Sequence, residues 1–166
     1  SFLEQLCCEE RRFVESSGHL LFTRHEYSLH LNDIAFVKVG AVSGADDVYT
    51  NEIQGNRDFV CSSTASKGKT RRMIWCEPGD RPPEALLAHK NRLIARRIRS
   101  FDESNWWQWG RSYHQSSQPR VYVNSKTRRK HPFFVHDCPQ NNDTVLAIFP
   151  RNPEIDVHRL AKALNN

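Results

Sequence analysis

The sequence has no run of about 18 apolar residues, so it offers no membrane-spanning helix. It opens without a basic-then-apolar leader and cleavage site. Its five cysteines (Cys7, Cys8, Cys61, Cys76, Cys138) are odd in number, and none forms a Cys-x-x-Cys pair. That pattern does not make a disulfide framework, and reduced thiols in a cytoplasmic protein are the expectation. No Gly-x-Ser-x-Gly elbow is present. A Gly-rich strand-turn-helix for a cofactor is also missing. A metal-dependent nuclease needs clustered carboxylates, commonly an Asp followed by Glu-x-Lys. Asp46, Asp47 and Glu52 are acids without that sequel, and Lys67 and Lys69 lie in a loop with no acidic partner. His131, His136 and Cys138 have no standard zinc-ligand spacing. No catalytic residue and no metal ligand is assigned.

One more absence points to a function. From Trp106 to Lys130 there is no carboxylate. The stretch interleaves Trp106, Trp107, Trp109 and Tyr113 with amides, hydroxyls and cations, ending in Lys126-Thr127-Arg128-Arg129-Lys130. Cations meet phosphates, ring faces stack on bases, and Asn, Gln and Arg read base edges. The formal net charge of +5 is unevenly spread. Residues 1–60 hold 5 Lys/Arg against 10 Asp/Glu, residues 61–130 hold 16 against 5, and residues 131–166 hold 3 against 4. One block therefore carries all the excess positive charge, which creates a local field attractive to polyanions. A solvated basic face is the plain alternative.

The apolar pattern predicts a mixed α+β fold: a small, mainly antiparallel sheet with two or three helices. Residues 1–17 have roughly helical apolar spacing and read as a short helix or linker. A strand is expected within Gly18–His30, then a turn at Asn32-Asp33. Strands are also expected at 34–39, 59–61, 73–75, 120–124, 132–136 and 144–149. Gly40 and Gly44 follow the strand at 34–39 and shape a turn, which Asp46-Asp47 can close. Ser62–Arg72 reads as a polar, basic, flexible loop. Pro83–Arg99 reads as one helix, with Pro in its first turn and no later Gly or Pro. Asn141-Asn142-Asp143 is a hairpin turn, and Glu154–Leu164 a short amphipathic helix.

Phe36–Tyr49 resembles the opening of the C-terminal target-recognition region of bacterial adenine-N6 DNA methyltransferases of the restriction-modification type. In that family a strand enters a Gly-x-x-(Ser/Thr)-Gly turn, followed by Asn/Asp and an aromatic. Phe22-Thr23-Arg24, Arg120–Asn124 with Pro132-Phe133-Phe134, Val145–Pro150 and Leu160–Asn165 are similar to its flanking, later and closing segments. The resemblance implies sequence-specific binding of double-stranded DNA by residues 18–166. It further implies that 1–17 is a linker or helix remnant from a preceding catalytic domain of the same polypeptide. The Gly-rich loop for S-adenosylmethionine and the Asn/Asp-Pro-Pro-Tyr/Phe motif that grips a flipped adenine do not occur in the chain. Asn152-Pro153-Glu154-Ile155 begins similarly but lacks the second Pro and the aromatic. The resemblance therefore places methyl transfer and S-adenosylmethionine in sequence before Ser1.

Two surfaces are candidates for DNA contact. One is the loop with Ser63, Thr64, Ser66, Lys67, Lys69, Arg71 and Arg72. The other holds Arg111, Tyr113, His114, Gln118, Arg120, Asn124, Lys126, Arg128 and Arg129. Two rival readings use the same stretch. It could be an RNA- or single-strand-binding module that stacks bases on the tryptophans, or a protein-interaction domain with an exposed Trp/Arg surface.

Overall fold

The computed structural model describes residues 12–16, 18–23, 28–96 and 101–166. The chain divides into two compact units, Ser1–Asp33 and Ile34–Asn166. In the first, β1 (Arg12–Ser16) pairs antiparallel with β2 (His19–Thr23) across Gly18, whose φ is +76°. Phe13 lies opposite Phe22 with ring centroids 5.1 Å apart. Such cross-strand aromatic pairs stabilise a ribbon. Residues 12–16 of the segment 1–17, expected to be a short helix or linker, are thus strand, and its other residues lie outside the described residues. The expected turn at Asn32-Asp33 is a single helical turn, α1 (Leu31–Ile34).

The second unit is built on a four-stranded antiparallel sheet. Its strands are β3 (Ala35–Val39), β6 (Val121–Asn124), β7 (Phe133–Val135) and β8 (Val145–Pro150), in the order β3-β8-β6-β7. The Val-Leu-Ala-Ile-Phe run of β8 is apolar on both faces because it lies between β3 and β6. One face buries Tyr122, Val145, Ala147 and Phe149 against Val60. On β6 and β7 packs α6 (Val157–Leu164), which buries Val157, Leu160 and Ala161. A separate ribbon pairs β4 (Arg57–Phe59) with β5 (Arg71–Met73).

A larger core gathers the aromatics. Tyr49, Phe59, Met73, Trp75, Leu86, Leu93, Trp106, Trp107, Trp109 and Tyr113 form one buried cluster. Tyr49 enters it from α2 (Asp46–Tyr49). Of the helix expected over Pro83–Arg99, the described residues hold two shorter ones, α4 (Glu84–Leu87) and α5 (Lys90–Ile94), broken at Ala88-His89, and 97–99 lie outside the described residues. No Gly or Pro marks the break. The described residues thus hold six helices rather than two or three, but five of them have only four or five residues. The α+β architecture with mainly antiparallel sheets is as the sequence indicates. No helix among the described residues is long and apolar enough to cross a membrane.

Candidate nucleic-acid interface

The site is organised by a short segment, Asn141–Thr144, just before β8. Ala41 N–H donates to the Asn141 carbonyl (2.8 Å), and Asp143 N–H donates to the Ala41 carbonyl (2.8 Å). Val60 N–H donates to the Gln140 carbonyl (2.8 Å), and Asn142 N–H returns a bond to the Val60 carbonyl (3.2 Å). The chain is therefore clamped between the turn after β3 and the exit of β4. Gly40 makes that clamp possible. A Cβ there would stand 2.3 Å from the carbonyl oxygens of both Asn141 and Asn142. Gly44 serves differently, holding a φ of +71° that side chains rarely adopt. Both glycines have the structural role expected of them in shaping the turn.

Side chains complete the junction. Asn142 Nδ2 donates to Asp46 Oδ2 (2.8 Å), the hydroxyl of Ser43 donates to the other Asp46 oxygen, and Thr144 Oγ1 donates to Asn142 Oδ1 (2.5 Å). Asp46 is thus fully used inside. Asp143 is half-buried, and burial, followed by the charge of Asp46, pushes its carboxyl above the ordinary value. Burial likewise pushes the neighbouring Cys61 thiol up to about 12.

Three cationic segments are tied to this junction. Ser62 N–H, at the head of α3 (Ser62–Ala65), donates to Thr144 Oγ1 (2.9 Å). Ser125, at the head of the Lys126–Lys130 run, donates both its N–H (2.9 Å) and its hydroxyl (3.0 Å) to the Thr144 carbonyl. Arg111 exchanges backbone bonds with Val42 (2.9 and 3.2 Å), and its charge acts on Asp143. Segments remote in sequence thus leave one place on the fold. Lys67, Lys69, Arg111, Lys126, Arg128, Arg129 and Lys130 are all exposed. None of the seven lies within 4.0 Å of a carboxylate among the described residues.

The rest of the expected loop is partly engaged. Its first four residues form α3, which corrects the fully irregular loop expected from sequence. Arg71 Nη2 donates to Ser63 Oγ (2.6 Å), Thr64 Oγ1 donates to the Cys61 carbonyl (3.3 Å), and Arg72 lies 3.6 Å from Asp58. Ser63 and Ser66 are exposed.

Several expected contact residues belong to the interior instead. Arg120 is 3% exposed, and its guanidinium donates to the carbonyls of Gln118 (3.0 Å), Pro139 (2.8 Å) and Ser116. It fastens loops together and presents no charge to a ligand. Gln118 Nε2 donates to the Pro150 carbonyl. Tyr113 is buried, and its hydroxyl accepts from Arg57 Nη1 (3.0 Å). His114 is exposed but lies edge-on to Phe36 and Phe149, beside β3. Asn124 keeps Oδ1 buried without a hydrogen bond, so the amide cannot offer the donor-acceptor pair that reads adenine.

The largest correction concerns the tryptophans. Trp75, Trp106, Trp107 and Trp109 are 4%, 3%, 9% and 7% exposed. Trp107 Nε1 donates to the Asp80 carbonyl (3.0 Å) and Trp109 Nε1 to the Ile74 carbonyl (2.9 Å). Arg96 and Tyr49 hold the run from behind, donating to the carbonyls of Trp106 to Gln108. No tryptophan face is available for stacking. The single-strand and exposed-Trp readings lose the surface they require.

Chemistry is sparse elsewhere. No group of three His, Cys, Asp or Glu among the described residues is placed to hold a metal ion. His131 Nδ1 meets the Asn165 carbonyl (3.0 Å), and His136 Nδ1 accepts from Cys138 N–H (2.9 Å). Sequence reasoning missed Thr144, Asp143 and Asn142 as organisers, and it had Asp46 closing the turn after Gly44 without its bond to Asn142. The only local signal of the first three was the turn composition of Asn141-Asn142-Asp143. The described residues define an α+β domain, and in comparisons with known proteins the chain matches no family model and no curated protein.

Proposed function

We propose that this chain binds double-stranded DNA sequence-specifically, as the target-recognition part of a DNA adenine-N6 methyltransferase. The observation that supports DNA binding is that the segments carrying Lys67 and Lys69, Arg111 and Lys126–Lys130 are anchored, through Ser62, Arg111 and Ser125, at one junction of Ala41-Val42 with Asn141–Thr144. Exposed cations without carboxylate partners are suited to phosphates, and fixing their loops to one junction sets their spacing. The methyltransferase part rests on the resemblance of Phe36–Tyr49 and the later segments. On this reading a preceding catalytic domain of the same polypeptide holds S-adenosylmethionine. An Asn-Pro-Pro-Tyr-type motif then belongs in the coding sequence before Ser1.

Fluorescence anisotropy with labelled duplexes across a salt series tests DNA binding. Lys67→Ala and Lys126→Ala are each expected to weaken binding to all sequences and to reduce the log-log salt slope by about one. Arg111→Ala is expected to cost about 1–3 kcal/mol on the cognate site, with little loss on random DNA. A wild-type chain that gives no duplex binding at low salt refutes the proposal. Duplex binding with no salt dependence also counts against it, because contact with phosphates requires a salt slope.

A further inference from the structure

We infer that Asp143 selects the base read at this face, by accepting the exocyclic amino group of cytosine or adenine in the major groove. The inference rests on the DNA-binding reading above and deepens it. Asp143 lines a cavity of about 300 Å³ together with Ser62, Ser125, Lys126 and Thr144. The cavity lies between the two cationic loops, because Ser62 and Ser125 are the residues through which those loops are tied to Thr144. A pocket meant only for a phosphate would be lined by donors, and a carboxylate inside it repels the ligand. Asp143 therefore needs another explanation.

It is not serving as an ion-pair partner, since no Lys or Arg nitrogen among the described residues lies within 4.0 Å of it. Nor does it do the structural work of its neighbour. Asp46 takes the hydrogen bonds of Ser43 and Asn142, whereas the Asp143 carboxylate takes none from a side chain among the described residues. A half-buried acceptor lined by Lys126 and the hydroxyl residues Ser62, Ser125 and Thr144 combines two functions. The cations hold the phosphates on either side, and the acceptor faces the groove. Carboxylates pair with cytosine N4, and adenine N6 presents the same donor. Guanine O6 or thymine O4 at that position would set two acceptors against each other and leave both without a donor. Discrimination thus comes from repulsion of the wrong base as much as attraction of the right one.

The test is selection from a pool of duplexes with a randomised core, using the full chain and its Asp143→Ala and Asp143→Asn variants. The wild type is expected to enrich a site in which one position is restricted to an amino-bearing base by about tenfold or more. Asp143→Ala is expected to level that position while leaving the others intact. Asp143→Asn, nearly isosteric and therefore the safeguard if the alanine variant does not fold, is expected to admit guanine or thymine there. Wild-type enrichment that both folded variants reproduce at every position overturns the inference but leaves DNA binding standing. Uniformly tighter binding by Asp143→Ala, with unchanged preference, assigns the cavity to phosphate and also overturns it. Failure of the wild type to retain any duplex removes both this inference and the reading beneath it.

Discussion

Gly40 shows how much of the site depends on a side chain that is missing. Two carbonyl oxygens occupy the space any Cβ would take, and both belong to the segment that organises the cationic loops. Gly40→Ala must push Asn141 and Asn142 away, and overpacking of this kind costs about 1–3 kcal/mol. In a chain of this length that is expected to lower Tm by roughly 2–4 °C per kcal/mol. The same displacement should weaken duplex binding on every sequence, because it moves the loop anchors rather than one contact. Gly44→Ala serves as the comparison, carrying a φ penalty of about 1–2 kcal/mol. Thermal melts followed by circular dichroism, read beside anisotropy, check both effects. A Gly40→Ala chain as stable as wild type would remove the clamp from the account. The sequence marked Gly40 and Gly44 as turn residues, and that reading was sound. It could not show that Gly40 is required by carbonyls far along the chain, because a close approach leaves no local signature. Asp143 and Thr144 escaped notice for the same reason: their composition speaks of a turn, and their partners are remote.

At the level of elements, legibility followed how locally each one is determined. Strands β3 and β8 were readable because both are β-branched and aromatic runs, β8 buried between β3 and β6, β3 an edge strand that keeps the pattern while Val37 and Val39 are exposed. The closing helix was readable too, starting later than its pattern suggested because Asp156 supplies the cap. The break between α4 and α5 was not readable, since nothing in Ala88-His89 forbids a helix. The hairpin of β1 and β2 was missed because Phe13 and Val14 fit either period in so short a segment. Asp156 also allows a test at this scale. Its side chain accepts from His158 N–H (2.7 Å) and Arg159 N–H (3.3 Å), and these bonds hold its carboxyl below the ordinary value of 3.8. The folded carboxyl being the stronger acid, its stabilisation is complete above the unfolded value and is lost as pH falls through the folded one. Asp156→Ala should therefore be less stable than wild type at neutral pH. The gap should narrow as pH drops below about 4. Asp156→Asn should keep an oxygen cap and lose the pH dependence. Denaturant midpoints for the three proteins over a pH series decide it, and a gap that ignores pH refutes the role of the ionised cap.

Across the whole molecule, apolar and cationic parts of one stretch of sequence are sent in opposite directions. The block that carries the excess positive charge also carries all four tryptophans, three of them interleaved with the cations and amides of 106–130. Folding separates them. The rings are drawn into the core with Tyr49, Phe59 and Met73, where burying large aromatic area stabilises most, while Lys67, Lys69, Arg111 and the 126–130 cations stay in water and Arg120 is satisfied inside by carbonyls. Interleaving in sequence therefore said which chemistries were present but not which would share a face. This separation predicts an optical result. With every tryptophan buried, emission should be blue-shifted, acrylamide should quench it weakly, and saturation with duplex should leave both properties nearly unchanged. A base-stacking protein would instead lose emission as nucleic acid binds. Titrating the chain with duplex and with single strand of the same sequence, at low salt and with anisotropy as the independent measure of binding, distinguishes the two. Strong quenching on the single strand would place a tryptophan at the surface and return the stacking reading to first place. Binding without quenching, tighter for duplex, is the outcome that a buried aromatic core beneath a cationic face requires.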